Sequence, residues 1–123
     1  MIVGVGVDLV DLARFEQKLA DTPALLERLF HIDERGYSPR RLAGSFAAKE
    51  ALVKALGGPD GLSWTEISVE RDSLGRPWLR TQGASAQRLD EAGADRIHLS
   101  ISHDGGLLTA YLIAETSSGG NDA

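Results

Sequence analysis

Residues 43 to 57, AGSFAAKEALVKALG, carry the strongest helix pattern in this chain. Upstream, Ser38 and Pro39 are typical of a helix N-terminus, the serine as N-cap and the proline in the first turn. Gly57 and Gly58 supply the left-handed stop that ends many helices. We therefore predict a central helix of about four to five turns.

Glu50 and Lys54 lie about 40° apart on one face of this helix, among small residues. The other faces are largely apolar, which is typical of a helix packed inside a protein or against a partner. This favours a cleft around Glu50 and Lys54, with room for a ligand. Because the same spacing is also the commonest surface ion pair on helices, both interpretations stay open at this point.

Residues 2 to 9, IVGVGVDL, alternate in the pattern of a β-strand with one apolar face. Gly4 and Gly6 share the opposite face with Asp8. Glycine weakens a strand interior, so this pair indicates that another group approaches the backbone closely. Asp8 is either a functional carboxylate or a capping aspartate for the next helix, although Asp11 can fill the capping role.

The composition is that of one globular domain of 123 residues, 42% hydrophobic and 25% charged. No apolar run approaches the roughly 20 residues of a membrane span, and the start lacks the basic region of a signal peptide, so a cytoplasmic location is expected. The absence of cysteine excludes disulfides, thiolate zinc sites and thiol catalysis. A net charge of -5 argues against nonspecific nucleic-acid binding. We expect a domain over 1–115 and a disordered tail over 116–123.

The predicted order of elements is β-α-α-α-β-β-α-β-β, which gives an α+β fold with a largely antiparallel sheet packed with helices. A hairpin near the C-terminus is the clearest strand pair, and His103 is placed on its turn. Besides the first strand and the central helix, the predicted helices span 11–20, 22–30 and 84–93, and the predicted strands span 64–70, 78–81, 96–103 and 107–115.

Asp8, Glu50 and Lys54 are the residues on which we base a prediction of chemistry, because no zinc signature, nucleophile elbow, Walker loop or dinucleotide motif is present. Two carboxylates beside a cation suit Mg²⁺, which retains several waters and binds substrate phosphate. Phosphoryl transfer is the reaction that this set predicts. A different Mg²⁺-dependent transferase or hydrolase, and a noncatalytic module that binds through the helix of Arg14, are the alternatives.

Three segments resemble the holo-acyl-carrier-protein synthases, small bacterial 4'-phosphopantetheinyl transferases: GVGVDLVDLARF at 4–15, FAAKEALVKALG at 46–57 and LSISHD at 99–104. The resemblance implies transfer of phosphopantetheine from coenzyme A to a serine of an apo acyl carrier protein, free or within a larger synthase, in fatty acid biosynthesis. The second product is 3',5'-ADP. It also implies a homotrimer whose active sites lie between subunits.

The resemblance also implies roles for single residues. Asp8 and Glu50 fall where the family binds Mg²⁺, and Glu50 and Lys54 are the catalytic candidates. Residues that match coenzyme A contacts are Lys54, Gly57, Gly75, Pro77 and His103.

The first helix and the start of the central helix carry the remaining assignments. Arg14 matches an arginine that meets the acidic carrier, and Lys18 lies one turn further along the same helix. The family commonly has arginine where this chain has Ser45. A phosphate contact is therefore expected to be missing or supplied by Arg40 or Arg41.

Overall fold

The computed structural model describes residues 1–117, so most of the predicted tail lies outside the described residues. The α+β class and the order of the predicted elements are confirmed, with a 3-10 turn added at Ile32–Glu34. A second 3-10 turn, Trp64–Glu66, stands where the sequence predicted the start of the strand over 64–70. The elements are β1 (Ile2–Asp11), α1 (Leu12–Asp21), α2 (Leu25–Leu29), α3 (Pro39–Leu56), β2 (Ile67–Arg71), β3 (Pro77–Thr81), α4 (Gly83–Glu91), β4 (Arg96–Asp104) and β5 (Leu107–Glu115).

The strands form two antiparallel sheets, where the sequence predicted one. One sheet has the order β1-β5-β4, and β2 pairs only with β3 in a separate hairpin. The antiparallel pairing itself is confirmed. Within residues 1–117, none of the helices has the length and hydropathy needed to cross a bilayer.

Helix α3 begins and ends where its flanking residues predict. The Ser38 hydroxyl accepts a hydrogen bond from the Arg41 backbone N–H at 3.3 Å, and Pro39 occupies the first turn. At the other end Gly57 has a φ of 83°, a left-handed conformation that glycine adopts without strain. Both ends therefore follow from local chemistry.

The group that approaches the glycine face of β1 is helix α3. A Cβ atom on Gly4 would lie 1.8 Å from the Ala55 carbonyl oxygen, and one on Gly6 would lie 1.8 Å from that of Ala51. Only glycine allows this approach of strand and helix. Because Asp8 is on the same strand face, the contact places its carboxylate beside α3.

The apolar face of β1 points away from the core. Val5, Val7 and Leu9 are exposed, and Tyr111 of the paired strand β5 is exposed beside Val7. The core instead lies between α3 and the opposite sheet face, where β5 contributes the buried residues Leu108, Ala110, Leu112 and Ala114.

A fully buried ion pair joins α3 to the segment before it. Lys49 Nζ donates to Glu34 Oε1 at 2.6 Å and to the carbonyl oxygens of Leu29 and Trp64 at 3.0 and 3.1 Å. Burial lowers the pKa of Lys49, and the Glu34 carboxylate opposes that shift. The sequence predicted no helix or strand over residues 31–37, and this pair was missed.

Candidate active site

Asp8 and Lys54 meet where β1 passes over α3. Lys54 Nζ donates to the Val7 carbonyl oxygen at 2.8 Å and to Asp8 Oδ1 at 3.3 Å. The Asp8 side chain is 16% exposed and that of Lys54 is 54% exposed. The Lys54 ammonium therefore lies at the rim of the site, against β1. Glu50 lines a cleft, as expected, but Lys54 does not.

Glu50 is the second carboxylate of the site and is half-buried. Burial raises the pKa of Glu50, and the negative charge of Asp8 raises it further, while Lys54 opposes both effects. Among residues 1–117, no three His, Asp or Glu side chains converge in a metal-binding cluster, so the acidic donors here are a pair. A cation between them would relieve the repulsion.

A cleft of about 240 Å³ opens beside the two carboxylates. Asp8 and Glu50 line it together with Arg14 and Lys18 of α1. The structure thus brings the predicted metal ligands and the predicted docking residues to one cavity. Residues far apart in sequence share this site because α1 packs across both β1 and α3.

Helix α1 is set in place by a cap and an aromatic contact. The Asp11 carboxylate accepts from the Arg14 backbone N–H at 3.0 Å, so Asp11 is the cap and Asp8 is not. The buried ring of Phe15 lies 5.5 Å from that of Phe46 on α3, and both rings line the cleft. These contacts leave Arg14 exposed at the rim.

His103 lies in a second cleft of about 200 Å³, together with Arg40, Arg41 and Arg71. The expectation that His103 sits on the turn was wrong: it belongs to β4, where it pairs with Leu108 and shares the inward sheet face with Ile101. The turn begins only after Asp104, because β4 and β5 stay in register to that residue.

Gly75 and Pro77 adjoin the second cleft through Arg71. Arg71 Nη1 donates to the Gly75 carbonyl oxygen at 2.9 Å, and Arg71 pairs with Pro77 across the hairpin. In a single chain, the predicted coenzyme A residues therefore divide into two groups. Lys54 contacts Asp8, and Gly57 caps the C-terminus of α3. His103 lines the second cleft, here called the basic cleft, and Gly75 and Pro77 adjoin it through Arg71.

Ser45 contributes to neither cleft. Its side chain is fully buried, and its hydroxyl donates to Glu34 Oε2. Glu34 also accepts from the backbone N–H of Val69 at 2.9 Å, so Ser45 belongs to the buried network of Lys49. The sequence signal for this network was Lys49, a charged residue on a side of α3 that is otherwise largely apolar.

The chain matches a known protein family over most of its length. A family model described as the 4'-phosphopantetheinyl transferase superfamily matches residues 4–113. The holo-[acyl-carrier-protein] synthase of Clavibacter michiganensis is 53% identical over 115 residues, which cover 94% of this chain and 97% of that protein.

Solved structures show the same fold. The holo-[acyl-carrier-protein] synthase of Neisseria meningitidis is 32% identical with a TM-score of 0.87, covering 94% of this chain and 100% of that one. The Helicobacter pylori enzyme, solved in complex with coenzyme A, is 29% identical with a TM-score of 0.79, covering 90% and 99%. The chain therefore belongs to the holo-[acyl-carrier-protein] synthases of the 4'-phosphopantetheinyl transferase superfamily.

Proposed function

We propose that this chain transfers 4'-phosphopantetheine from coenzyme A to a serine of an apo acyl carrier protein in fatty acid biosynthesis, releasing 3',5'-ADP. The observation that carries the proposal is the convergence of Asp8 and Glu50 at one cleft with Arg14 and Lys18, with Lys54 at its edge. The family supports the same activity, since relatives are named for it and a related structure contains coenzyme A. A cytoplasmic location is part of the proposal.

Asp8 and Glu50 are proposed to hold Mg²⁺. Both are carboxylates on regular elements, and the pKa of Glu50 is raised first by burial and then by the negative charge of Asp8. Mg²⁺ typically uses one or two protein carboxylates and completes its coordination with waters and substrate phosphate, so this donor pair fits. When bound, the ion supplies charge neutralisation for the pyrophosphate of coenzyme A.

In the proposed reaction the carrier serine oxygen forms a bond to the β-phosphorus of coenzyme A, and the bond from that phosphorus to the bridging oxygen breaks. The electron pair leaves with 3',5'-ADP, and the serine proton passes to a carboxylate of the cleft or to water. Lys54 lies within reach of Asp8 and would neutralise charge that accumulates on the departing ADP.

Arg14 and Lys18 are proposed to dock the carrier protein. They are exposed, one turn apart on α1, and line the cleft that holds the two carboxylates. Since the chain has a net charge of -5, an acidic carrier must meet a local basic surface rather than an overall attraction. A carrier bound to this helix presents its serine near Asp8 and Glu50.

A homotrimer is proposed on two grounds. The exposed apolar face of β1 and β5, with Val5, Val7, Leu9 and Tyr111, is the kind of surface that another copy covers. In addition, the basic cleft of His103 is separate from the cleft of Asp8, and a neighbouring subunit could bring the two together. Light scattering should give three times the 13.2 kDa chain mass. A fully active monomer would contradict this assembly.

The activity is tested by incubating the protein with coenzyme A, Mg²⁺ and an apo carrier protein, then weighing the carrier. A mass gain of one phosphopantetheine is expected. Asp8→Ala and Glu50→Ala should abolish the gain while circular dichroism shows an intact fold. Cleavage of coenzyme A without a carrier gain would indicate a hydrolase, and binding without any reaction would indicate a noncatalytic module.

A further inference from the structure

The basic cleft of His103 has features of an anion site. Arg40, Arg41 and Arg71 line it, and no carboxylate is among the residues that line it. Positive charge is therefore concentrated at one place on a chain whose net charge is -5. Such a cleft attracts a phosphate more strongly than an isolated surface arginine does.

The position of two of these arginines strengthens this conclusion. Arg40 and Arg41 lie in the first turn of α3, which contains no acidic residue. Basic side chains are unfavourable at this end because the helix dipole is positive there. An anion in the cleft would be attracted both by this helix end and by the two arginines.

Arg41 is held by an aromatic ring. Its guanidinium carbon lies 3.7 Å from the centre of the Tyr37 ring, a cation–π stack. The ring is itself fixed, because the Tyr37 hydroxyl donates to the Val69 carbonyl oxygen at 2.8 Å. In the described part of the chain, the Arg41 side chain has no hydrogen-bond acceptor or ion-pair partner. Stacking therefore restrains the guanidinium and leaves its N–H groups free for a ligand.

We infer that Tyr37 is a positioning residue that holds the Arg41 guanidinium for the ribose phosphate of coenzyme A; this inference rests on the proposed function. Coenzyme A carries a pyrophosphate and a separate phosphate on the ribose. The pyrophosphate is assigned to the cleft of Asp8 and Glu50, which leaves the ribose phosphate for the basic cleft that, in the proposed homotrimer, a neighbouring subunit brings beside it. Ser45, one turn after Arg41, cannot contribute because it is buried against Glu34.

The test compares KM and kcat for coenzyme A in the wild type, Tyr37→Leu, Arg41→Gln and the double variant, with saturating apo carrier protein and Mg²⁺. Tyr37→Leu should raise the KM for coenzyme A about two- to fivefold and leave kcat nearly unchanged. In the Arg41→Gln background, Tyr37→Leu should have no further effect, because Tyr37 acts through Arg41. An equal rise in both backgrounds, or no rise in either, would overturn the inference.

The same series with 3'-dephospho-coenzyme A identifies the phosphate. Tyr37→Leu and Arg41→Gln should have little effect on the KM for this substrate, since the group they serve is absent. An equal rise in KM for both substrates would refute the assignment to the ribose phosphate. Arg28→Gln is the matched control, because Arg28 is exposed on α2 and outside the basic cleft.

Two further variants distinguish loss of the ring stack from a folding defect in Tyr37→Leu. Tyr37→Phe retains the ring and should keep the KM for coenzyme A close to that of the wild type. Arg41→Lys retains the charge and loses the planar stack, and it should raise the KM for coenzyme A more than that for the dephospho form. If Arg41→Lys raises the KM for the dephospho form more than the KM for coenzyme A, the inference is contradicted. A wild type that transfers nothing to the carrier would instead refute the proposed function.

Discussion

Replacing Lys49 with methionine is expected to destabilise the fold severely. Lys49 Nζ makes three hydrogen bonds at 2.6 to 3.1 Å, and both Lys49 and Glu34 are fully buried. Methionine fills much of the same volume but removes the charge. The Glu34 carboxylate then stays buried with no cation, and the Leu29 and Trp64 carbonyl oxygens lose a donor.

The size of the effect follows from the burial of the pair. Removing one partner of a buried ion pair costs about 3–5 kcal/mol, against a total stability of about 5–15 kcal/mol for a typical domain. For a chain of this length such a loss corresponds to a fall in Tm of roughly 10–20 °C. An exposed lysine offers a matched comparison: Lys18→Met should change the stability by less than about 0.5 kcal/mol.

The assay is urea and thermal unfolding followed by circular dichroism, at one fixed protein concentration because an oligomer's stability depends on it. The double variant Lys49→Met/Glu34→Gln removes both charges and should be more stable than the sum of the single effects predicts. A loss below about 1 kcal/mol for Lys49→Met, or strictly additive effects, would refute the role given to this pair.

Three further predictions concern docking, packing and pH. Arg14→Glu should raise the KM for the carrier severalfold, leave that for coenzyme A nearly unchanged and flatten the salt dependence; equal weakening of both substrates would contradict a docking role. Gly6→Ala should lower the free energy of unfolding by about 1–3 kcal/mol or more, because its Cβ would lie 1.8 Å from the Ala51 carbonyl oxygen. Gly36→Ala should not lower it, because no atom lies within 4 Å of the Cβ that this substitution adds. Hydrogen bonds from the Ser85 hydroxyl and backbone N–H lower the pKa of Glu66. Glu66 therefore stabilises the fold above its unfolded pKa, and the Tm difference between wild type and Glu66→Gln should disappear as pH falls through the lowered value; a difference that persists in acid would count against it.

Much of the fold was accessible from local sequence. The bounds of α3 follow from Ser38, Pro39 and Gly57, because capping and left-handed glycine are properties of a few adjacent residues. The close approach to β1 was also predictable, since Gly4 and Gly6 in a strand interior need such a reason. Asp8, Glu50 and Lys54 were selected by residue type and spacing, and the structure places them together.

The tertiary structure decided what depends on distant partners. Alternation in β1 defines two faces without saying which is buried, and the helix over Gly6 leaves Val7 exposed. Lys49 is buried only because Glu34, Leu29 and Trp64 supply acceptors from three other segments.

The separation of the predicted coenzyme A residues into two groups likewise depends on the fold. His103 reaches the basic cleft through the register of β4 with β5, and Arg41 reaches it from the start of α3. Local pattern identifies which groups can bind a phosphate, because that is a property of each side chain. Which of them meet is set by long-range packing, because chain segments remote in sequence must come together before any such cavity exists.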